Sequence, residues 1–372
     1  MKRRTEMSER YIGLMSGTSL DGVDAVLLAM DEQGRPHVEA DSFLPFPADI
    51  RQQVLALQAV DSNELDRAAR LGNALARLYA EVVAQLLASC ALPTSAIKAI
   101  GCHGQTIRHA PHAGYTLQIG NPALLAELCG IDVIADFRSR DVAAGGHGAP
   151  LVPAFHQDIF ASAGENRVIL NIGGISNLTR LAQGLPVSGF DCGPGNMLLD
   201  AWCQRHTGAA YDANGGWAAG GQLHQPLLQQ MLADDYFRQP PPKSTGRDLF
   251  SLHWLERQLA AQPAIPPQDV QHTLLQLTAH SIAQDIRRHC PATSSVYVCG
   301  GGALNQALMQ ALQQQLPGIS IRSTADLGLP ANQVEAAAFA WLAWRFSHRL
   351  PANLPEVTGA AGLRILGALY PT

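Results

Sequence analysis

The first cluster of residues that could do chemistry is a short polar turn, MSGTSLDG, at positions 15–22. Its two glycines permit close backbone approach, and successive N–H groups in such a turn form a concavity that accepts phosphate oxygens. Thr18 and Ser19 add hydroxyl donors. Asp21 and Asp24 could hold Mg²⁺ through water, because magnesium prefers carboxylate oxygens and keeps much of its hydration. Taken alone, the turn is equally well explained as an ordinary β-hairpin loop rich in Ser, Gly and Asp.

A carboxylate suited to proton transfer occurs in the segment GFDCGPGN at positions 189–196. Here Asp191 follows a predicted strand that runs to Phe190 and precedes a helix predicted to begin near Asn196. At that place it would lie at the carboxyl edge of a sheet, where open α/β sheets bind ligands. It could then accept a proton from a hydroxyl or from water during phosphoryl transfer. The alternative is an Asp that only stabilises a turn, which is the commoner use of the residue.

Two further glycine-rich turns each follow a predicted strand. The turn at 173–177, GGISN, has the same place in the second half of the chain as the turn at 15–22 has in the first half. The glycine run at 300–302 would let a ribose or a base pack against the backbone. Close packing explains a triple glycine nearly as well. The run does not form G-x-G-x-x-G, so the indication of a dinucleotide site is weak. The chain has no G-x-x-x-x-G-K-[ST] motif, which excludes a P-loop enzyme.

Two more candidate groups carry charge. Arg138 stands with Arg140, Asp136 and Asp141 directly after a predicted strand. Arginine suits bidentate contacts to carboxylate or phosphate, although such a cluster is also typical of surface ion pairs. Glu335 falls in the first turn of an alanine-rich helix predicted over 332–346, where a carboxylate favours the helix dipole whatever its function.

The elements that must position these residues repeat in the two halves of the chain. Apolar stretches at 11–15 and 23–30 predict a hairpin around the first turn, and a strand at 167–172 followed by 178–181 predicts another around the second. Each half continues with a third strand, a helix and a last strand. In the first half these are predicted at 38–44, 64–88 and 96–100. In the second half the third strand runs up to 190, the helix spans 272–289 and the last strand spans 295–299. The shared order indicates a duplication, and the alternation favours α/β lobes with largely parallel sheets.

Bulk properties limit the classes of function. A chain of 372 residues is longer than one compact core usually grows, which predicts two lobes. The net charge of −5 argues against nucleic acid as a partner, and no window is apolar for the length of a membrane span. The seven cysteines contain no C-x-x-C pair. This pattern argues against a zinc site and a disulfide framework, and predicts a reducing, cytoplasmic location.

Together these segments resemble the anhydro-N-acetylmuramic acid kinases of the sugar kinase/actin superfamily. The resemblance runs from Gly13 to about Gly362 and rests on GLMSGTSLDGVDAV, CHGQTIRH, DFRSRDVAAGGHGAPLVP, NIGGISNLT, GFDCGPGNMLLD, PPKSTGRDLF, CGGGALN and ANQVEAAAFA. It implies an α/β, two-lobed actin-like ATPase fold, in which a ribonuclease H-like unit is duplicated around a deep interlobe cleft. The first lobe is expected to span 1–140 plus about 350–372, and the second 141–349.

The resemblance also implies the chemistry. The family opens 1,6-anhydro-N-acetylmuramic acid with water and phosphorylates the 6-oxygen, giving N-acetylmuramic acid 6-phosphate during peptidoglycan recycling. It uses ATP and Mg²⁺, and its members are typically homodimers. Asp191 would be the catalytic base, and Gln105, Arg138 and Glu335 would face the sugar. The residues expected to bind the nucleotide are Ser16, Gly17, Thr18, Ser19, Leu20, Asp21, Gly22, Val23, Gly173, Gly174, Gly300, Gly301 and Gly302.

One position departs from the wider superfamily. Many sugar kinases place an Asp two residues before the Gly-Thr of the first turn, where this chain has Met15, and Asp21 is the candidate metal ligand in its place. The segment KSTGRD at 243–248 receives no role. Two rival hypotheses stay open: a non-enzymatic, ATP-gated clamp of the same fold that binds a partner, and a nicotinamide enzyme using the turn at 299–305.

Overall fold

A computed structural model of the chain describes residues 8–17, 20–31, 34–59, 61–246 and 248–372. Thr18 and Ser19, both predicted to bind phosphate, lie outside the described residues. The strands, numbered along the chain, are β1 (Glu9–Met15), β2 (Gly22–Met30), β3 (Pro36–Pro45), β4 (Ala99–Cys102), β5 (Gln105–Ala110), β6 (Tyr115–Ile119), β7 (Val133–Ala135), β8 (Arg167–Ile172), β9 (Ile175–Leu181), β10 (Ser188–Pro194), β11 (Ser295–Cys299), β12 (Ser320–Ser323) and β13 (Ala368–Tyr370).

The α-helices are numbered in the same way. They are α1 (Ala48–Gln58), α2 (Glu64–Ser89), α3 (Pro122–Cys129), α4 (Ser139–Val142), α5 (Val152–Phe160), α6 (Met197–Thr207), α7 (Gly216–Ala219), α8 (Gln225–Leu232), α9 (Leu252–Ala260), α10 (Pro267–His289), α11 (Gln306–Gln315), α12 (Val334–Ser347) and α13 (Pro355–Thr358). Short 3-10 helices connect several of them. None of the helices in the described part of the chain combines the length and the apolar character needed to cross a bilayer.

The chain forms two units, residues 1–159 with 333–372 and residues 160–332. The sheet of the first unit has the strand order β3-β2-β1-β4-β7-β13. Strands β1, β2 and β3 form an antiparallel meander, whereas β4 is parallel to β1 and β7 is parallel to β4. Strand β13 closes the edge antiparallel to β7. Strand β3 is the other edge of the sheet. Its residues accordingly alternate between partly buried and exposed, whereas β2 is buried on both faces.

The sheet of the second unit repeats this arrangement. Its order is β10-β9-β8-β11-β12, with an antiparallel meander β8, β9, β10 and parallel neighbours β11 and β12. The first five strands of the first unit's sheet, β3-β2-β1-β4-β7, correspond to these one by one in order and direction. The structure therefore confirms the prediction of an α/β chain built from a duplicated ribonuclease H-like unit.

Helix α2 covers one face of the first sheet as its sequence period predicts. The residues Leu71, Leu75, Tyr79, Val82 and Leu86 recur every three or four positions and are buried. Because residues at this spacing lie on one side of a helix, they form a continuous apolar stripe. They belong to the same hydrophobic core as the inward side chains of β1 and β2.

Helix α12 belongs to the first unit because its backbone lies directly against β1 and β4. A methyl group at Gly13 would overlap the carbonyl oxygen of Ala336, and one at Gly101 would overlap that of Phe339. The helix thus fits only where both strands lack a side chain. The two units accordingly divide after Ile159 and after Asn332, whereas the expected lobe boundaries were 140/141 and 349/350.

One local prediction is wrong. The stretch 96–100 is not one strand, because Thr94–Ala96 forms a 3-10 turn after Pro93 and the strand β4 begins only at Ala99. Proline at that place fixes φ for the turn and cannot donate to a sheet. Shortly after β4, Gln105 begins the hairpin β5–β6.

Candidate functional site

The turn between β1 and β2 holds the first group of predicted site residues. Ser16 is buried, and its hydroxyl bonds to the hydroxyl of Tyr79 at 2.8 Å and to the carbonyl of Gly104 at 3.0 Å. The side chains of Leu20 and Val23 are buried in the core of the first unit. For these three residues, therefore, main-chain groups and not side chains are available to a ligand. Asp21, by contrast, is exposed.

Gln105 and His103 both bond to the backbone of this turn. The side-chain amide of Gln105 donates to the carbonyl of Gly17 over 3.3 Å, and Nδ1 of His103 lies 3.3 Å from the carbonyl of Ser16. The side-chain oxygen of Gln105 is buried and accepts no hydrogen bond within the described residues. A buried amide oxygen without a donor costs free energy unless a ligand or water supplies one. This atom is therefore a candidate acceptor for a substrate hydroxyl or amide.

Arg138 fixes the tautomer of His103. Nη2 of Arg138 lies 3.0 Å from Nε2 of the ring, and Nη1 donates to the carbonyl of Gly148 over 2.8 Å. Because a guanidinium only donates, Nε2 must accept, and Nδ1 carries the proton that points to Ser16. Burial, reinforced by the charge of Arg138, lowers the pKa of His103 to about 3. The ring is therefore neutral and serves as a hydrogen-bonded link, a role that the sequence motif CHGQT had not indicated.

The first unit also gathers carboxylates around the turn. Burial, together with the charges of Asp21, Glu335 and Asp41, raises the pKa of Asp24 to about 7. Burial also raises the pKa of Glu335, partly opposed by Arg138. Buried carboxylates crowded in this way favour the binding of a neutralising cation or a proton. The structure thus brings together Arg138 and Glu335, both predicted to face the sugar, with both candidate metal carboxylates.

This donor set fits a magnesium ion in a limited way. No group of three or more His, Cys, Asp or Glu side chains within the described ranges is arranged to hold a metal by itself. Mg²⁺, however, is commonly held by one or two carboxylates together with substrate phosphates and water. Asp21 and Asp24 meet that requirement by chemistry, being hard oxygen donors beside a turn whose N–H groups could bind phosphate.

Asp141 is not part of a surface ion-pair cluster. It is fully buried and accepts hydrogen bonds from Thr358, Asn353 and the amide of Gly148, each at 2.8 Å. A carboxylate that accepts three hydrogen bonds is held in one position and orders the groups that donate to it. It therefore fixes the loop whose carbonyl at Gly148 receives Arg138. The surface interpretation of this cluster is wrong for Asp141.

The glycines of the two turns in the second unit differ in whether neighbouring atoms leave room for a side chain. A methyl group at Gly173 or Gly174 would meet nothing closer than 3.7 Å, and one at Gly301 nothing closer than 3.6 Å. At Gly300 and Gly302 it would overlap the side chain of Asn171 and that of Ile172, respectively. Packing therefore explains only the latter two glycines. The other three, at the carboxyl ends of β8 and β11, would accept a methyl group at ordinary contact distances.

Polar groups line the same place. The side-chain oxygen of Asn171 is buried and, among the described residues, has no hydrogen-bond donor. Asn196 donates from its side chain to the carbonyl of Ile172 over 3.1 Å, and its own amide donates to the carbonyl of Gly173. A ribose hydroxyl could donate to the buried oxygen of Asn171. The residues present are thus compatible with a nucleotide.

Asp191 lies inside β10, not after its end as predicted. It pairs with Asn177 of β9, and a β-bulge separates it from Gly193. Such bulges commonly redirect a side chain beside an active site. Burial raises the pKa of Asp191 to about 6, while a hydrogen bond from the amide of Thr245 at 3.0 Å and the charge of Lys243 oppose the rise. The carboxylate is therefore mostly ionised at neutral pH and able to accept a proton.

The segment 243–248, which the sequence left without a role, holds Asp191 in place. The amide of Asp191 donates to the carbonyl of Lys243 over 3.1 Å, and the amide of Thr245 donates to the Asp191 carboxylate. Lys243 itself pairs with Asp285 of α10. The sequence signal for this pair was a charged residue among the apolar positions of a buried helix face. Arg247 lies outside the described residues.

Comparison with known proteins covers both units. Residues 9–372 match the family described as "Anhydro-N-acetylmuramic acid kinase". A protein of that name from Chromobacterium violaceum is 62% identical over 98% of this chain and 100% of its own length. One from Pseudomonas paraeruginosa is 55% identical over 97% of this chain and 99% of its own, and one from Cupriavidus metallidurans is 54% identical over the full length of both.

Proposed function

The chain belongs to the anhydro-N-acetylmuramic acid kinase family and is a kinase of that sugar; we propose that it opens the 1,6-anhydro bond with water and transfers the γ-phosphoryl group of ATP to the freed 6-oxygen. The product is N-acetylmuramic acid 6-phosphate, an intermediate of peptidoglycan recycling. The observation that supports this chemistry best is the Asp191 carboxylate, which is partly buried, accepts a hydrogen bond from the Thr245 amide and has a pKa raised to about 6.

In the proposed mechanism Asp191 takes a proton from the water that attacks the anomeric carbon. The bond between that carbon and the bridging oxygen breaks, and the released 6-oxygen attacks the γ-phosphorus, with ADP leaving. The proton ends on Asp191 and is later lost to solvent. Because the pKa of Asp191 lies below neutrality, the base is available at pH 7 and yet basic enough to assist the attack.

The remaining residues bind and orient. In the first unit we assign the sugar to Gln105, Arg138 and Glu335, because one offers an unsatisfied amide oxygen and the other two carry opposing charges. We assign phosphate to the main chain of the turn at 16–23, and the nucleotide to Gly173, Gly174 and the glycines at 300–302. Of these, Gly300 and Gly302 contribute through packing.

Mg²⁺, when bound, would neutralise charge on the phosphates of ATP, and Asp21 with Asp24 are the residues that would hold it. We further propose that the enzyme acts in the cytoplasm as a homodimer, as the family resemblance implies.

The replacement Asp191→Asn tests the mechanism. It should abolish turnover while leaving ATP binding, followed by calorimetry, largely intact, because the amide keeps the shape but cannot take the proton. Asp235→Asn, which changes an exposed carboxylate of the same unit, is the control and should be active. Near-normal turnover by Asp191→Asn would exclude this residue as the base.

Labelled water and substrate panels separate the rival functions. With ¹⁸O-water the label should enter the anomeric hydroxyl and not the transferred phosphate, whereas label in phosphate would mean simple ATP hydrolysis. ADP release should depend on the anhydro sugar. Slow release that no sugar changes would instead favour the ATP-gated clamp, and binding of NAD without binding of ATP would favour the nicotinamide enzyme.

A further inference from the structure

One buried ion pair of the second unit has no part in the reaction as proposed. Nζ of Lys243 lies 2.9 Å from Oδ2 of Asp285, and only 1% and 3% of the two side chains are exposed. The ammonium also lies 4.9 Å from the ring centre of Tyr236 and 5.9 Å from that of Phe190. Taking two charges out of water costs several kcal/mol per ion, and their attraction often only offsets this cost. Stability alone therefore explains this pair poorly.

The pair is connected to Asp191 through the main chain. The carbonyl of Lys243 accepts from the Asp191 amide at 3.1 Å, and two residues later the amide of Thr245 donates to the Asp191 carboxylate at 3.0 Å. The hydroxyl of Tyr236 donates to the Asp191 carbonyl at 2.8 Å. Because the Lys243 side chain is fixed by Asp285, the backbone that supplies the Thr245 donor is fixed as well.

The charge of Lys243 acts on Asp191 in the same direction as the Thr245 hydrogen bond. From the 243–245 segment, Lys243 stabilises the ionised carboxylate. The other titratable groups of this cluster are Cys192 of β10, Tyr236, and Asp285 and His289 of α10. Burial raises the pKa values of Cys192, Tyr236 and Asp285 and lowers that of His289. His289 lies 3.9 Å from Asp285. The Thr245 hydrogen bond and the charge of Lys243 thus together counter the effect of burial on the pKa of Asp191.

We propose that Lys243 and Asp285 are positioning residues for Asp191: their ion pair holds the Thr245 amide on the carboxylate and keeps one positive charge beside it. The inference rests on the proposed role of Asp191 as the base. It differs from a packing role in one measurable respect. Loss of the pair should change the proton affinity of the base, whereas loss of packing alone should change only the stability of the enzyme.

The test removes both charges at once with Lys243→Met and Asp285→Asn in one variant, since removal of one partner would leave an uncompensated buried charge. The full-length enzyme is assayed with ATP and the anhydro sugar between pH 5 and 9. We expect kcat/KM for the sugar to fall about 10–100-fold, as misplaced catalytic groups do. The acidic limb of its pH profile should move up by about one unit.

Controls decide between the outcomes. Arg205→Met with Glu256→Gln removes an exposed ion pair of the same unit and should leave the profile unchanged. A folded Lys243→Met/Asp285→Asn enzyme with a normal profile and normal kcat/KM would overturn the inference, and so would a lowered Tm with an unmoved acidic limb. If that variant does not fold, Lys243→Arg, which keeps the charge, should retain the wild-type limb, and a shifted limb would overturn the inference.

The result with Asp191→Asn separates the two proposals. Turnover by Asp191→Asn would remove Asp191 from the mechanism and with it the proposed function of this residue. An inactive Asp191→Asn enzyme together with an unaffected double variant would leave the mechanism in place and refute only the positioning role of Lys243 and Asp285.

Discussion

Arg138 donates a hydrogen bond from Nη2 to Nε2 of His103 over 3.0 Å, so that a guanidinium rests on a neutral imidazole. The opposite ring nitrogen donates to the carbonyl of Ser16. The His103 side chain therefore orients Arg138 and also fixes the backbone of the turn at Ser16. His103 acts through these two neighbours and is a positioning residue.

The replacement His103→Phe tests this positioning role of His103. The ring can stay packed against Phe339, whose centre lies 4.8 Å away, but both hydrogen bonds are lost. We expect a loss of about 1–3 kcal/mol in stability, the cost of unsatisfied buried groups. The value of kcat/KM for the sugar should fall at least about tenfold. The exposed His112→Ala is the control, and unchanged kinetics of a folded His103→Phe enzyme would contradict the link.

The raised pKa of Asp24 predicts a pH-dependent stability. The native state binds this proton more tightly than the unfolded chain, whose Asp has a pKa near its usual value, so the contribution is complete at low pH and is lost as the pH rises through about 7. Asp24→Asn should therefore raise the unfolding free energy at pH 8, by roughly 2–4 kcal/mol, and by less at pH 5.

Thermal unfolding of the ligand-free enzyme at both pH values measures this effect. Asp66→Asn, an exposed carboxylate of α2, should change Tm little at either pH. An equal effect of Asp24→Asn at pH 5 and at pH 8 would be evidence against a raised pKa.

The glycine turns of the second unit predict opposite effects from one kind of change. Gly174→Ala adds a methyl group at an ordinary contact distance from Met197 and should alter stability by less than about 0.5 kcal/mol, while raising KM for ATP about tenfold or more. Gly302→Ala overlaps Ile172 and should cost about 1–3 kcal/mol in stability. Denaturation curves and ATP titrations distinguish the two. A Gly174→Ala enzyme with normal ATP affinity would remove this turn from the nucleotide site.

The exposed carboxylate of Asp21 should affect the metal requirement. Asp21→Asn is expected to raise the Mg²⁺ concentration for half-maximal activity at least about tenfold, because Mg²⁺ favours charged oxygen donors. Activity at saturating Mg²⁺ should partly recover. Asp49→Asn, an exposed carboxylate in the first turn of α1, serves as the comparison. The same Mg²⁺ dependence in both variants would mean that another carboxylate holds the metal.

Features that arise from a local pattern were predicted well from the sequence. Strands β8 and β11 have the predicted bounds, and α2 differs by one residue, because a short apolar run or a period of three to four is visible in a single segment. The duplicated order of elements was visible for the same reason. The role of Asp191 stays a prediction, and its strand continues beyond the predicted end at Phe190 to Pro194.

Features that depend on contacts between distant segments could not be predicted in this way. Lys243 and Asp285 lie 42 positions apart, and His103 and Arg138 lie 35 apart, so no local pattern pairs them. The unit boundary at Asn332 is of the same kind. Helix α12 resembles any alanine-rich helix in sequence, and only the glycines at 13 and 101 determine which sheet receives it.

The packing of α12 against Gly13 and Gly101 also determines when the sheet of the first unit can be completed during synthesis. The strands β1 and β4 leave the ribosome before α12, with the whole of the second unit made in between. The second unit, by contrast, is one continuous stretch between Phe160 and Asn332. The face of the first unit's sheet at Gly13 and Gly101 therefore stays uncovered until α12 is made, whereas the sheet of the second unit can already be complete. A nascent chain halted before residue 334 would present that uncovered face to chaperones.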